Sequence, residues 1–165
     1  MLSLKQKQSG FTIVELLIVI VIIGILAGLV ITTFVGIQAR ARDSERQTDI
    51  NSIQKQVEAY YANNGAYPTA TNLETTAFRS GNNIKLDTKA LADPSNASTT
   101  TFVTSGTPTA STTKQYYYVA TPTGCNPSTD SSGGSLTPAT PGACTGYTLS
   151  VWLEAGNKVY SQTNQ

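Results

Sequence analysis

Glu15 is the residue whose chemistry stands out most in the N-terminal part of the chain. It is the single charged side chain among the 27 residues from Phe11 to Ile37. A carboxylate within an apolar spanning helix costs free energy unless it lies near the membrane interface or finds a partner. Glu15 therefore either reaches the nearby membrane interface or has a partner for its charge.

The rest of the sequence offers little material for catalysis. The chain of 165 residues has no His, which removes the commonest general base and metal ligand. Its two cysteines are too few for a Cys-based zinc site, and no Ser, Lys or carboxylate lies in a recognisable catalytic motif. We therefore expect no enzyme activity, no cofactor and no metal.

The run from Phe11 to Ile37 is long enough to cross a bilayer. About 20 helical residues cover the roughly 30 Å hydrocarbon core. The run follows Lys5 and Lys7, and it exceeds the apolar stretch of about 7 to 15 residues in a cleaved secretory signal. The sequence predicts contact with a membrane.

The start of this run, residues 7–20, closely resembles the leader and first helix of type IV prepilins and type II secretion pseudopilins. The shared features are a short basic leader, Gly10 before the aromatic Phe11, Thr12 next, and Glu15 inside the apolar helix. The resemblance implies that a prepilin peptidase cleaves between Gly10 and Phe11 and methylates the new amine. It also implies that Glu15 pairs with the N-terminal amine during assembly.

The apolar run continues into an amphipathic stripe without a break. Apolar residues at spacings of three and four predict one helix over residues 11–63, and the stripe residues are Ile50, Ile53, Val57 and Tyr60. Asn63-Asn64-Gly65 and Pro68 should end it. This ending also resembles the Asn-Gly-x-Tyr-Pro turn of many pilins and major pseudopilins.

Gly24 and Gly28 form a small-x-x-x-small pair that lets helices approach closely, so we expect them at the assembly interface. Many pilins carry a proline after this point, and this chain has none there. The helix either loosens around the two glycines or stays continuous.

The region 38–165 has nine Lys and Arg against nine Asp and Glu, so it has no net charge. A region without excess positive charge has no electrostatic attraction for the phosphates of a nucleic acid, so we predict no nucleic-acid site. Arg40, Arg42 and Arg46 alternate with acidic residues, which predicts a solvated helix face with salt bridges. Aliphatic residues are few here, and the tyrosines should supply the missing burial.

The predicted fold class is α+β, with the long helix packed on a small antiparallel sheet. We expect strands over residues 115–120, 147–153 and 158–161, the last two joined by a turn at 154–157. A short second helix is predicted over residues 71–80, with a capping box at Thr71 and Glu74. Residues 94–113 predict a surface loop or a weak edge strand.

Cys125 and Cys144 bracket a segment rich in Pro, Gly and Ser. An exported head lies in an oxidising space, so we expect the two cysteines to form a disulfide. By resemblance to pilins, the bounded loop carries surface contacts. Asn96-Ala97-Ser98 matches the N-glycosylation sequon, and O-linked modification of the Ser/Thr tract is a second option.

The predicted organisation is a leader (1–10), a filament-core helix (11–37) and a head (38–165). The head divides into a helix half (38–63), a connecting region (64–113) and a sheet with its disulfide loop (114–165).

The resemblance implies a major pilin that polymerises with copies of itself. Its partners would be the prepilin peptidase and assembly machinery with ATPases, and it would move from the cytoplasmic membrane to an extracellular pilus. Two alternatives stay open: a pseudopilin of a secretion or competence system, and a monomeric membrane-anchored binding module.

Overall fold

The computed structural model describes residues 10–112, 114–125 and 142–164. The chain divides into two compact units, Met1–Gln38 and Ala39–Gln165. Helix α1 (Ile13–Asn64) supplies residues to both, and it runs without interruption through Gly24 and Gly28. The predicted long helix is confirmed. The helix of the single chain is continuous at the glycines, and whether it loosens there in an assembled filament stays a prediction.

In the first unit, the large apolar side chains of α1 are exposed. Their exposed fractions run from 50% at Val19 to 84% at Ile13. By length and composition this part of α1 is sufficient to cross a membrane. So much exposed apolar surface is unfavourable in water and requires lipid or other helices around it.

In the second unit, α1 buries one stripe of side chains. Ile50, Ile53, Val57 and Tyr60 are all at most 4% exposed, as their spacing predicted. The helix ends before Gly65, which has a left-handed φ of 72° and donates its N–H to the carbonyl of Tyr61 at 2.7 Å. Glycine adopts this conformation at no steric cost.

The head sheet has three antiparallel strands in the order β1 (Tyr117–Thr121), β2 (Gly146–Leu153) and β3 (Lys158–Thr163). Their number and positions agree with the prediction, apart from shifts of one or two residues at the ends. In register, Tyr118 lies opposite Leu149, and Val151 lies opposite Tyr160. Val103 adds an isolated parallel bridge to Tyr117, and its carbonyl accepts the N–H of Tyr118 at 3.0 Å. The described part of the predicted loop or weak edge strand therefore forms a bridge to β1 and no named strand.

Aromatic rings fill much of the core between α1 and the sheet. Tyr118 and Tyr147 stack with ring centroids 5.5 Å apart, and Tyr67 meets Tyr147 edge-on at 4.9 Å. The inward residues of β2 are at most 3% exposed; they are Tyr147, Leu149, Val151 and Leu153. Tyrosine burial therefore compensates for the small number of aliphatic residues, as expected.

The predicted second helix is two short helices, α2 (Ala70–Glu74) and α3 (Thr76–Gly81). The capping box predicted at Thr71 and Glu74 is wrong. The box is formed by Thr69 and Asn72, whose side chains bond each other's backbone N–H. The carboxylate of Glu74 instead accepts the backbone N–H of Phe102 at 2.7 Å. Glu74 is therefore engaged by a residue distant in sequence, and it does not take part in the capping box.

Candidate assembly segment and the charged network of the head

Thr12 and Glu15 close the N-terminal end of α1 by hydrogen bonding to each other. The backbone N–H and the hydroxyl of Thr12 donate to Oε2 of Glu15 at 2.8 and 2.7 Å. The backbone N–H of Glu15 is 3.3 Å from the Thr12 hydroxyl oxygen, which accepts it. This is the reciprocal arrangement of a capping box, and it satisfies donors that the first helical turn otherwise leaves open. In the single chain, Glu15 therefore has a partner of its own.

The predicted cleavage junction lies just outside this cap. Gly10 and Phe11 precede the helix and are exposed, with Phe11 at 85%. A peptidase needs an accessible, non-helical backbone, and this segment has both properties. Cleavage here would leave a free amine on the residue directly before the capping Thr12.

Gly24 and Gly28 have open space where a side chain would stand. A Cβ built on either residue has no heavy atom within 4 Å, outside the local helix backbone. In the single chain nothing occupies the surface beside these glycines, so a second helix could approach the backbone closely.

Cys125 and Cys144 form a disulfide within the head. Cys144 is fully buried, and its carbonyl accepts the N–H of Tyr67 at 2.9 Å. The disulfide ties the segment before β2 to the segment after β1, and the hydrogen bond holds it against the segment that follows α1. The loop that the cysteines bound, residues 126–141, lies outside the described residues, and so does the surface role predicted for it.

Arg46 is the centre of a buried charged network in the head. Its guanidinium donates to both carboxylate oxygens of Asp93, with Nε–Oδ2 at 2.7 Å and Nη2–Oδ1 at 2.9 Å. It also donates to Asp43 at 2.9 Å and to Glu154 at 2.6 Å. The prediction of a solvated arginine face is wrong at this residue, because Arg46 is 0% exposed. Two of its three carboxylate partners, Asp93 and Glu154, lie 47 and 108 residues away, where no local pattern could reveal them.

Asp43 extends the network into the backbone of the turn between β2 and β3. Its two carboxylate oxygens accept the N–H groups of Glu154 and Ala155, each at 2.8 Å. Arg42, one residue earlier on α1, pairs with the other oxygen of Glu154 at 2.5 Å. These bonds therefore attach α1 to the turn that joins β2 and β3.

The network shifts the acid-base equilibria of its members. The hydrogen bond from Arg42, with those from Arg46 and Ser95, lowers the pKa of Glu154 to about 2 despite partial burial. Burial opposes the charged form of Arg46, but the hydrogen bonds to Asp93 and Glu154 outweigh it and raise its pKa. Both groups therefore stay charged at neutral pH.

Asp49 lies one turn further along α1 and behaves in the opposite way. Burial raises its pKa to about 6, although the hydroxyl of Tyr116 donates to it at 2.7 Å. The nearby carboxylates of Glu45 and Asp93 also raise it, and Lys89 lowers it. The sequence showed an acidic residue on a helix face and contained no signal of its burial.

Within residues 10–112, 114–125 and 142–164, no cluster of three or more His, Cys, Asp or Glu side chains is arranged to hold a metal ion. The carboxylates of the network are occupied by arginine and backbone donors. The charged residues of the head therefore hold segments together.

Comparison with known proteins bears directly on the N-terminal segment. Residues 5–31 match the family model of the prokaryotic N-terminal methylation motif. This range contains the predicted junction at Gly10 and Phe11, and Glu15, Gly24 and Gly28. The N-terminal segment is therefore of the pilin and pseudopilin type.

The curated relatives are named either as type II secretion system core protein G or as a type IV pilin. The type II secretion system core protein G of Aeromonas hydrophila is 40% identical over 65 residues, which cover 39% of this chain and 46% of that protein. The core protein G of Vibrio cholerae is 34% identical over 91 residues, covering 48% and 62%. The type IV major pilin protein PilA of Myxococcus xanthus is 34% identical over 68 residues, covering 41% and 31%.

The chain therefore spans between about a third and two thirds of the length of these pilin-like relatives. No solved structure matches it. The N-terminal segment carries the methylation motif, and the long helix with the three-stranded sheet gives the α+β fold.

Proposed function

We propose that the chain is the major pilin of a type IV pilus, a structural subunit that polymerises through its N-terminal helix. The observation that supports this most is that the exposed apolar part of α1 carries one carboxylate, Glu15, in its first turn. A plain membrane anchor would explain the apolar surface and would leave the carboxylate without a purpose.

Processing prepares the segment for assembly. The prepilin peptidase cleaves between Gly10 and Phe11 and methylates the new amine. That amine brings a positive charge to within one residue of Thr12, whose N–H and hydroxyl hold the Glu15 carboxylate in the precursor. When a subunit leaves the lipid for the filament, amine and carboxylate are desolvated together, so neither is buried alone.

The filament interior would be built from the apolar part of α1. Its exposed side chains pack against those of neighbouring copies, and the open surfaces at Gly24 and Gly28 allow close helix approach. The heads remain outside. Assembly machinery with ATPases would supply the energy for extraction from the cytoplasmic membrane.

A pseudopilin of a type II secretion or competence system is the second candidate. The relatives named core protein G favour it, since that of Vibrio cholerae aligns over 62% of its own length. The two functions share the processing and assembly steps. A monomeric membrane-anchored module would share neither, and it would retain residues 1–10.

The charge of Glu15 can be tested separately from its capping role. Glu15→Leu removes both, whereas Glu15→Gln removes the charge and keeps a capping oxygen. We expect both variants to insert into the membrane with a protease-resistant head, and both to lose filaments. Thr12→Val, which removes the capping hydroxyl and keeps the charge, is the matched control and should still assemble. Normal filament yield from Glu15→Gln would exclude charge pairing as the basis of assembly.

Two measurements separate the candidates. Intact-mass analysis of the functional protein should show a chain beginning at methylated Phe11, and a retained leader would favour the anchored module. Imaging of surface fibres in the parent strain and a deletion strain should show long fibres that depend on this chain. Loss of secretion or transformation without such fibres would assign it to the pseudopilins.

A further inference from the structure

The loop from Thr104 to Thr112 displays hydroxyl groups that no part of the assembly proposal uses. Its sequence is Thr-Ser-Gly-Thr-Pro-Thr-Ala-Ser-Thr, with six hydroxyls and no charged side chain. Every residue of the loop is exposed except Pro108, which is buried. A Ser/Thr tract with proline is the composition of segments that carry O-linked sugars.

The six hydroxyls fall into two groups. Those of Thr109, Ser111 and Thr112 bond to one another, with Thr109 Oγ1 2.9 Å from Ser111 Oγ and 3.2 Å from Thr112 Oγ1. Thr112 Oγ1 also accepts the backbone N–H of Thr109 at 2.6 Å. This second half of the loop is a short 3-10 helix, Ala110–Thr112, closed by its own side chains.

The first half of the loop is open. Among the described residues, the hydroxyls of Thr104, Ser105 and Thr107 have no hydrogen-bond partner, and the last two flank Gly106. Between them Gly106 has a left-handed φ of 80°, so the backbone turns at this position. Because Pro108 is buried, it fixes the chain directly after the turn. Ser105 and Thr107 are therefore presented on either side of an anchored turn.

The other potential sugar acceptor in this region is occupied. The side-chain amide of Asn96, in the N-glycosylation sequon, donates to the hydroxyl of Thr99 at 2.8 Å and to the carbonyl of Lys114 at 3.4 Å. Its oxygen accepts the hydroxyl of Ser98 at 3.0 Å. A glycosyltransferase acting on the folded head would have to break these bonds at Asn96, and it would have none to break at Ser105 or Thr107.

We propose that Ser105 and Thr107 are acceptors for O-linked glycosylation. In the reaction, the hydroxyl oxygen attacks the anomeric carbon of a sugar activated by a nucleoside diphosphate or a polyprenyl diphosphate. The bond from that carbon to the diphosphate breaks, the diphosphate leaves with the electron pair, and a base of the transferase takes the hydroxyl proton. The loop contains no Arg or Lys that would pair with a phosphate, so it favours a neutral sugar over phosphorylation.

The sequence allows a direct test on native protein. Trypsin cleavage after Lys89 and Lys114 releases one peptide, residues 90–114, that contains both the sequon and the loop. We expect intact-mass analysis of the native protein from its source cells to show a sugar increment. Fragmentation that preserves side-chain bonds should place it on Ser105 or Thr107.

Variants made in the source cells complete the test. Ser105→Ala combined with Thr107→Val should abolish the sugar-bearing form of the peptide. The matched control, Ser111→Ala, should keep it. An unmodified peptide, a phosphate, or a sugar confined to Asn96 or to any position other than Ser105 and Thr107 would overturn the proposal. Filament yield is read separately, so this result does not depend on the assembly proposal.

Discussion

Arg46 and Asp93 form a bidentate ion pair in which both residues are fully buried. The two bonds measure 2.7 and 2.9 Å, and each residue is 0% exposed. Planar guanidinium and carboxylate groups meet in this way with strong directional preference. The pair therefore fixes the loop at Asp93 to one position on α1.

Removing one member of this pair should destabilise the head strongly. Asp93→Asn leaves the buried guanidinium without its bidentate partner, and breaking a buried pair from one side costs about 3 to 5 kcal/mol. Urea unfolding of the detergent-solubilised chain, followed by Trp152 fluorescence, measures the loss. Lys89→Met is the control, because Lys89 pairs with Glu45 at an exposed site and should cost less than about 1 kcal/mol. Equal losses in the two variants would contradict a structural role for the buried pair.

The pKa of Glu154 predicts an acid-sensitive contribution to stability. Since its pKa is lowered from 4.5 to about 2 in the folded head, its ionised form stabilises the fold above pH 4.5. This contribution is lost as the pH falls from about 4.5 to about 2. Glu154→Gln should therefore be less stable than the parent at pH 7, and the difference should shrink at pH 3. A difference that stays constant with pH would be inconsistent with ionisation as its cause.

Asp49 should have the opposite effect on how the stability of the head depends on pH. Its folded pKa of about 6 lies above the ordinary 3.8, so the folded head binds the proton more tightly and stability falls as the pH rises from about 4 to 6. Asp49→Asn keeps an oxygen for the Tyr116 hydroxyl and removes the partly buried charge. We expect this variant to be at least as stable as the parent at pH 7 and to lack the decline between pH 4 and 6. Thermal unfolding across that range tests both points.

The disulfide should contribute a large share of head stability. Cys125 and Cys144 are 19 positions apart, and closing a loop of this size stabilises by about 3 kcal/mol in the chain-entropy model. The double variant Cys125→Ser with Cys144→Ala should lose about that amount in urea unfolding. Thiol labelling of the denatured, unreduced mature protein should detect no free cysteine. Two reactive thiols in exported material would refute the pairing.

Regular elements with a strong period were predictable from the sequence. The stripe at Ile50, Ile53 and Val57 predicted the buried face of α1, and the strand predicted over residues 147–153 is β2. The methylation motif predicted the family type of the N-terminal segment because its informative residues are adjacent.

Interactions between distant positions were not predictable. Whether an arginine on a helix is solvated or buried depends on the residues that pack over it. For Arg46 these include Asp93 and Glu154, which are distant in sequence. The capping box failed for the same reason. Thr71 and Glu74 fit the local pattern, but the backbone of Phe102 competes for the Glu74 carboxylate. Propensity sets which residues can cap, and tertiary contacts decide which ones do.

The bond from Asp43 to the turn at Glu154 and Ala155 constrains the order in which the head can be completed. Asp43 is synthesised early, and the backbone groups it binds emerge more than 100 residues later. Contacts of such long sequence separation form slowly, since the intervening chain must first be ordered. A nascent chain that ends before the last hairpin leaves Asp43 without these donors and Arg46 without Glu154. At that stage Asp43 and Arg46 keep each other as partners, and the bonds that attach the last hairpin to α1 are still to form.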